Sequence, residues 1–229
     1  MNLLDMLAGK LIVSCQALSD EPLHGSAIMA KMALAVALGG ASGIIANGAE
    51  DIAVIKKTVR LPVIGVLNRH YADSSVCLTP TSEDVRGLMS AGSDMVSIET
   101  GFRYRPNGEQ LQDILRIIHD EYPERSLLAA VATIEEAQLA VKLGYDAITT
   151  AMYGYTPESK GHSLIEDDYA HLKAICRAVD LPVIAEGRIT TPQLAAQAIY
   201  SGAHSVVVGG AITRPQNITQ TFVTALNGV

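Results

Sequence analysis

Short apolar runs rich in β-branched residues alternate along the chain with longer segments that place Ala and Leu at helical spacing. This alternation predicts β-strands followed by α-helices, because buried parallel strands are short and continuously apolar whereas amphipathic helices are longer. The pattern predicts eight strands, at residues 11–15, 43–47, 62–67, 95–99, 127–131, 147–150, 182–186 and 205–208.

Glycines end several of the predicted helices just before the next strand, as in the segments 38–47, 90–99, 142–150 and 200–209. Gly accepts the left-handed conformation that commonly ends a helix. Eight such units of about 29 residues, with no linker between them, predict an α/β fold: a single-domain (β/α)₈ TIM barrel over residues 1–229. A doubly wound open sheet is the alternative, although eight uniform units would leave its edges exposed.

Barrels of this kind carry their chemistry at the carboxyl ends of the strands and in the loops that follow. The seventh strand is followed by EGRI (186–189) and the eighth by VVVGGAITRP (206–215). The pair Gly209 and Gly210 lets backbone N–H groups approach an anion, and Arg188 and Arg214 add positive charge. The sequence therefore predicts a site for a phosphorylated small molecule at this end of the barrel.

Composition and charge indicate which kinds of partner and which cellular compartment to expect. The net charge is −7 and no run of Lys or Arg forms a basic stripe, which argues against a nucleic-acid partner. The three cysteines are widely separated and form no CxxC pair, as is typical of a reduced, cytoplasmic protein. Apolar runs are broken by Gly or charged residues before they reach membrane-spanning length, so we expect no membrane association.

Several segments resemble the signature segments of the bacterial N-acetylmannosamine-6-phosphate 2-epimerase family. They are LIVSCQALSDEPLH (11–24), LPVIGV (61–66), RPNGE (105–109), GYT (154–156), VIAEGRITTP (183–192) and VVGGAITRPQNIT (207–219). The resemblance covers essentially the whole chain. It implies a TIM barrel, a homodimer, no metal or organic cofactor, and inversion of C2 in a 6-phosphorylated N-acetylhexosamine.

The resemblance also assigns roles to residues. Gln16 stands at a substrate-contacting Gln, Glu186 at the catalytic Glu, and Gly209, Gly210 and Arg214 in the phosphate and substrate region. Four positions depart from the family pattern, and they identify the chain as a divergent member: Asn68 replaces the Lys base, Ile45 replaces an Arg, Ala130 replaces an Asp, and Glu99 replaces an Asp.

The residues themselves suggest how an epimerase could work. Inversion next to a carbonyl needs a group that removes the carbon-bound proton, a group that returns it on the other face, and a stabiliser for the enolate. Glu99 and Glu186 end strands on opposite sides of the predicted barrel, which suggests a two-base arrangement. The alternative for Glu99 is an ion pair with Arg103 or Arg105.

Three further residues are candidates for the site. His70 is a possible base if its loop folds inward, and otherwise a surface histidine. Asn68 is expected to bind a sugar hydroxyl or an enolate, and Tyr153 to close over the ligand or to pack.

Other chemistries fit the sequence less well. The predicted strands carry no lysine for a Schiff-base aldolase, and His24, His70 and His162 lack metal-ligand spacing. The expected function is thus a phosphosugar epimerase or isomerase. Two alternatives stay open: an isomerase of another phosphosugar with a rebuilt site, and a phosphosugar-binding protein without turnover.

Overall fold

The computed structural model describes residues 2–228 and contains a closed barrel of eight parallel strands in the order β1 to β8. The strands are β1 Leu11–Cys15, β2 Gly43–Asn47, β3 Val63–Val66, β4 Met95–Glu99, β5 Ser126–Ala130, β6 Ala147–Thr149, β7 Val183–Glu186 and β8 Ser205–Val208. Pairing of β8 with β1, in the register Ile12 opposite Val207, closes the barrel. The predicted TIM barrel is confirmed, and the doubly wound alternative is wrong.

The helices surround the strands in chain order. They are α1 Leu3–Leu7, α2 Ser26–Leu38, α3 Ala49–Thr58, α4 Ser82–Ser90, α5 Leu111–Glu121, α6 Ile134–Lys142, α7 Ala170–Ala178, α8 Pro192–Tyr200, α9 Gly210–Thr213 and α10 Pro215–Asn227. Short 3₁₀ turns occur at Pro106–Gly108 and Glu166–Asp168. Capping boxes at Thr81 and Thr133 fix the starts of α4 and α6.

All eight predicted strands exist, and four have the predicted bounds. The third and seventh begin one residue later than predicted because Pro62 and Pro182 have no N–H to donate to the sheet. Their carbonyls still accept hydrogen bonds from Ile44 and Ile148, at 3.0 and 2.9 Å. The third also ends at Val66 rather than Leu67, the fifth is shifted by one residue, and the sixth ends one residue early.

Side chains from the strands form two apolar layers. One layer packs between the strands and the surrounding helices. The other fills the barrel interior and includes Ile12, Ile45, Ile64 and Ile184. Leu7 of α1 is fully buried against this interior layer, so α1 closes the amino-terminal end of the barrel. Only the opposite, carboxyl-terminal end of the barrel is therefore open for the predicted site.

Candidate functional site

A cavity of about 490 Å³ lies at the carboxyl ends of β1, β7 and β8. It brings together five of the predicted site residues: Glu186, Arg188, Gly209, Gly210 and Arg214. The cavity is lined in addition by Ser14, Ala151, Tyr155, Gly187, Ile189, Thr190, Val207, Ala211, Asn217, Ile218 and Thr221. Carboxylate, guanidinium and glycine backbone therefore meet in one open space.

Glu186 ends β7 with its carboxyl group in this cavity. The Oγ1 of Thr149 donates to its Oε2 at 3.1 Å, and the hydroxyl of Thr150 holds its backbone through both N–H and C=O. Burial raises the pKa of Glu186 from 4.5 to about 7, although the hydrogen bond from Thr149 acts in the opposite direction. A carboxyl group with this pKa exchanges protons readily near neutral pH.

The chain after β8 offers backbone donors to the cavity. Gly210 begins α9, whose first N–H groups have no acceptor within the helix. A side chain on Gly209 would meet the Cβ of Ser14 at 3.4 Å, and one on Gly210 would meet Arg214 Nη1 at 3.5 Å. The glycine pair therefore brings the backbone close to both β1 and the Arg214 guanidinium.

Arg214 is held in place by a carboxylate that the sequence reasoning missed. Its Nη2 donates to Glu21 Oε2 at 2.9 Å, and its Nε donates to the other oxygen. This pair lowers the pKa of Glu21, chiefly through the hydrogen bonds from the guanidinium. It also ties the loop after β1 to the start of α10, so the arginine is fixed beside Gly210.

Arg188 connects the loop after β7 to the loop after β6. It has a left-handed backbone with φ of 54°, its Nη1 donates to the carbonyl of His162 at 3.2 Å, and its guanidinium lies 5.5 Å from the centre of the Tyr155 ring. The aromatic residue in the cavity is thus Tyr155. Tyr153 instead stacks on His171, with ring centroids 3.8 Å apart, and is not part of the cavity lining.

Amide side chains form a connected group at the ends of β1, β2 and β3. Asn68 Nδ2 donates to Gln16 Oε1 at 3.0 Å and to Asn47 Oδ1 at 3.3 Å. Gln16 Nε2 in turn donates to Ser14 Oγ at 2.8 Å, and Ser14 lines the cavity. The predicted residues Gln16 and Asn68 therefore contact each other and reach the cavity through Ser14.

Glu99 accepts hydrogen bonds from the loop that follows β3. Its Oε2 accepts the N–H groups of Cys77 and Leu78 at 2.9 and 3.1 Å, and its Oε1 lies 3.4 Å from Arg103 Nε. The side chain is 1% exposed. The structure thus contains the Arg103 ion pair that the sequence left open, whereas Arg105 donates to the backbone carbonyl of Glu99.

His70, Ile45 and Ala130 lie outside the cavity lining. His70 is exposed on the loop after β3 and is not part of the cavity lining. Ile45 and Ala130 are buried in the apolar layer of the barrel interior. The middle of the barrel is therefore aliphatic at both positions.

Two kinds of feature are absent from residues 2–228. No group of three or more His, Cys, Asp or Glu side chains is arranged to hold a metal ion. Within the same span, every helix is too short or too polar to cross a bilayer.

Sequence reasoning missed Ser14, Thr149 and Tyr155. Ser14 and Thr149 are inward positions next to predicted strand ends, so the period-two alternation of β1 and β6 was a usable signal for them. Tyr155 lies in a loop, where no period distinguishes it from Tyr153.

Known proteins resemble the chain throughout. The family model described as "Putative N-acetylmannosamine-6-phosphate epimerase" matches residues 29–228. A protein of Enterobacter sp. (strain 638) named "Putative N-acetylmannosamine-6-phosphate 2-epimerase" is 50% identical over 225 residues, covering 98% of this chain and 96% of that protein. One with the same name from Shouchella clausii (strain KSM-K16) is 52% identical, covering 97% of this chain and 98% of that protein.

A solved structure is also similar. The N-acetylmannosamine-6-phosphate 2-epimerase from Clostridium perfringens superimposes with a TM-score of 0.93 at 45% identity, covering 98% of this chain and 96% of that chain. Sequence and fold agree over nearly the full length, and the chain belongs to the N-acetylmannosamine-6-phosphate epimerase family.

Proposed function

We propose that this protein is an isomerase that interconverts N-acetylmannosamine-6-phosphate and N-acetylglucosamine-6-phosphate by proton transfer at C2. The observation that carries the proposal is one cavity lined by Glu186, a carboxyl group whose pKa burial raises to about 7, together with two arginines and a glycine pair. The names of the similar proteins supply the substrate. The proposed reaction moves one proton and uses neither a metal nor an organic cofactor.

The phosphate is assigned to the end of the cavity formed by Gly209, Gly210, Arg188 and Arg214. Backbone N–H groups and guanidinium groups are the donors that phosphate oxygens prefer. The sugar then extends toward Glu186, with Gln16 and Asn68 positioned to hydrogen-bond its oxygens. The three cysteines form no disulfide in the described part of the chain, which supports a cytoplasmic location, and the net charge of −7 argues against a nucleic-acid partner.

The direct test is proton NMR of N-acetylmannosamine-6-phosphate with the protein in deuterated water. We expect the 2-epimer to form and the C2 proton signal to disappear. If neither occurs at high protein concentration, this substrate is wrong, and the search turns to other phosphosugars and to a binding role.

The phosphate assignment predicts the effect of replacing Arg214 by glutamine. We expect KM for the phosphosugar to rise about tenfold while kcat changes less, because a charge-assisted hydrogen bond to phosphate is lost. Steady-state kinetics measure this effect, with the exposed Arg177→Gln as the matched control. A fall in kcat at unchanged KM would contradict the assignment.

The proposed homodimer is supported by uncovered apolar surface. Helix α10 buries none of its residues, and Phe222 and Leu226 on it are 68% and 74% exposed. Beside α8, an apolar groove of about 390 Å³ is lined by residues that include Ile199, Val206 and Ile212. Exposed apolar surface of this kind typically marks an interface.

If α10 of one copy covers apolar surface of another, Phe222→Asp should weaken self-association at least tenfold, because a charge would replace a buried ring. Analytical ultracentrifugation over a concentration series measures the change. Gln220→Asp places the same charge on the same helix at a polar, exposed position and should leave association unchanged. Equal effects of the two variants would show that α10 is not at the interface.

A further inference from the structure

The inward-facing positions at the barrel mouth determine which side chains can reach a bound sugar. The interior apolar layer identifies the residues that point into the barrel, and every strand contributes at least one: Ile12, Ile45, Ile64, Met95, Leu128, Ala147, Ile184 and Val207. Strands β3 and β5 each contribute a second, Val66 and Ala130. Alternation with period two carries the inward face on to the mouth. The positions reached are Gln16, Asn47, Asn68, Glu99, Ala132, Thr149, Glu186 and Gly209.

Two of these eight positions carry a carboxylate, and only one of the two lines the cavity. Glu99 is 1% exposed, accepts two backbone N–H groups from Cys77 and Leu78, and faces Arg103. Leu78 is itself buried in the interior apolar layer, so the loop after β3 covers Glu99. Glu186, in contrast, lines the open cavity.

The wall formed by β1, β2 and β3 has no basic group at these positions. Asn68 directs its Nδ2 hydrogens to Gln16 and Asn47, and Gln16 directs one of its own to Ser14. Amides donate and accept hydrogen bonds but do not take up a proton near neutral pH. This wall therefore orients a substrate without exchanging protons with it.

We propose that Glu186 alone both removes and returns the C2 proton, so that epimerisation here is a one-base reaction. The inference rests on the proposed function. In the open-chain sugar, the carboxylate of Glu186 takes the proton from C2, the C–H electron pair forms the C1–C2 double bond, and the carbonyl electron pair moves to the oxygen. Rotation about C2–C3 presents the other face of C2 to the same carboxyl group. Return of the proton re-forms the carbonyl and leaves Glu186 ionised again.

Exchange of the C2 proton with deuterated water, measured separately for each epimer, tests the proposal. In a two-base enzyme each base serves one epimer, so removing one base leaves exchange with the other epimer intact. With a single base, Glu186→Gln abolishes exchange for both. We expect at least a hundredfold loss with N-acetylmannosamine-6-phosphate and with N-acetylglucosamine-6-phosphate alike, the scale of a lost general base.

Several outcomes would overturn the proposal. One is that Glu186→Gln retains exchange with either epimer within tenfold of the wild-type rate. Another is that a variant at His70 or Tyr155 loses exchange with one epimer and keeps it with the other, which would identify a second base. Glu186→Asp provides a second measurement: a displaced single base should lower both exchange rates by a similar factor, whereas a factor that differs more than tenfold between epimers would contradict a shared base.

The controls separate this proposal from the proposed function. Glu124→Gln makes the same substitution at an exposed position between α5 and β5, and it should exchange both epimers at the wild-type rate. Circular dichroism establishes that each variant is folded. If the wild-type protein exchanges neither sugar, the substrate assignment fails; if it exchanges both while Glu186→Gln still exchanges one, the one-base mechanism fails.

Discussion

Replacing Ile45 by arginine, the residue type of the family pattern at this position, is expected to lower the free energy of unfolding by about 3 to 5 kcal/mol. Ile45 is 2% exposed and belongs to the aliphatic layer of the barrel interior. The neighbouring strand positions are Ser14 and Ile64, and Ala130 supplies no carboxylate to the same layer. A guanidinium placed there would be buried without an ionic partner, which costs several kcal/mol.

Urea unfolding followed by circular dichroism measures this effect. Ile45→Met is the matched control, because methionine is also long and unbranched but carries no charge, and it should cost less than about 1.5 kcal/mol. If the arginine and methionine variants unfold at the same urea concentration, the interior around Ile45 accommodates charge and is not the dry layer described. Restoring the arginine alone is therefore not expected to restore the family's site.

The architecture follows from local features of the sequence. The predicted strands form because their short apolar runs are bounded by polar loops and, before β2, β4, β6 and β8, by a helix-ending glycine. These signals act within about ten residues. Closure of the barrel follows from having eight equivalent units, since each strand then finds two neighbours. Glu186 ends β7, and Gly209 and Gly210 directly follow β8, so the topology alone places them in one cavity.

The partners of the site residues depend on loops, where the sequence has no period to follow. The loop after β3 folds back so that Leu78 enters the barrel and the N–H groups of Cys77 and Leu78 reach Glu99. Nothing in the local pattern indicates that path. The same holds for Glu21, which pairs with Arg214 across 193 residues of sequence. The position of these residues at strand ends thus follows from the local sequence, whereas their contacts depend on the path of distant loops.

The raised pKa of Glu186 makes the stability of the protein depend on pH. A carboxyl group whose pKa is raised in the folded state favours folding while it is protonated and opposes folding once it must ionise. Between its unfolded pKa of 4.5 and its folded pKa of about 7, the native state holds one more proton than the unfolded state. The contribution of Glu186 to stability is therefore fully present below pH 4.5 and is lost as pH rises through 7.

Glu186→Gln removes this pH-dependent cost while keeping an acceptor for the hydroxyl of Thr149. We expect the variant to be more stable than the wild type, and the difference in free energy of unfolding to grow by about 2 kcal/mol between pH 5 and pH 8. This figure is smaller than the pKa shift of Glu186 alone would give, because the side chain is only partly buried. Urea unfolding at both pH values measures it, and Glu124→Gln should follow the wild type. A stability difference between Glu186→Gln and the wild type that stays constant from pH 5 to pH 8 would mean that Glu186 ionises equally in both states. Such a cost to stability is typical of catalytic residues and is consistent with the proposed role of Glu186, because the same burial that destabilises a carboxylate favours proton transfer near neutral pH.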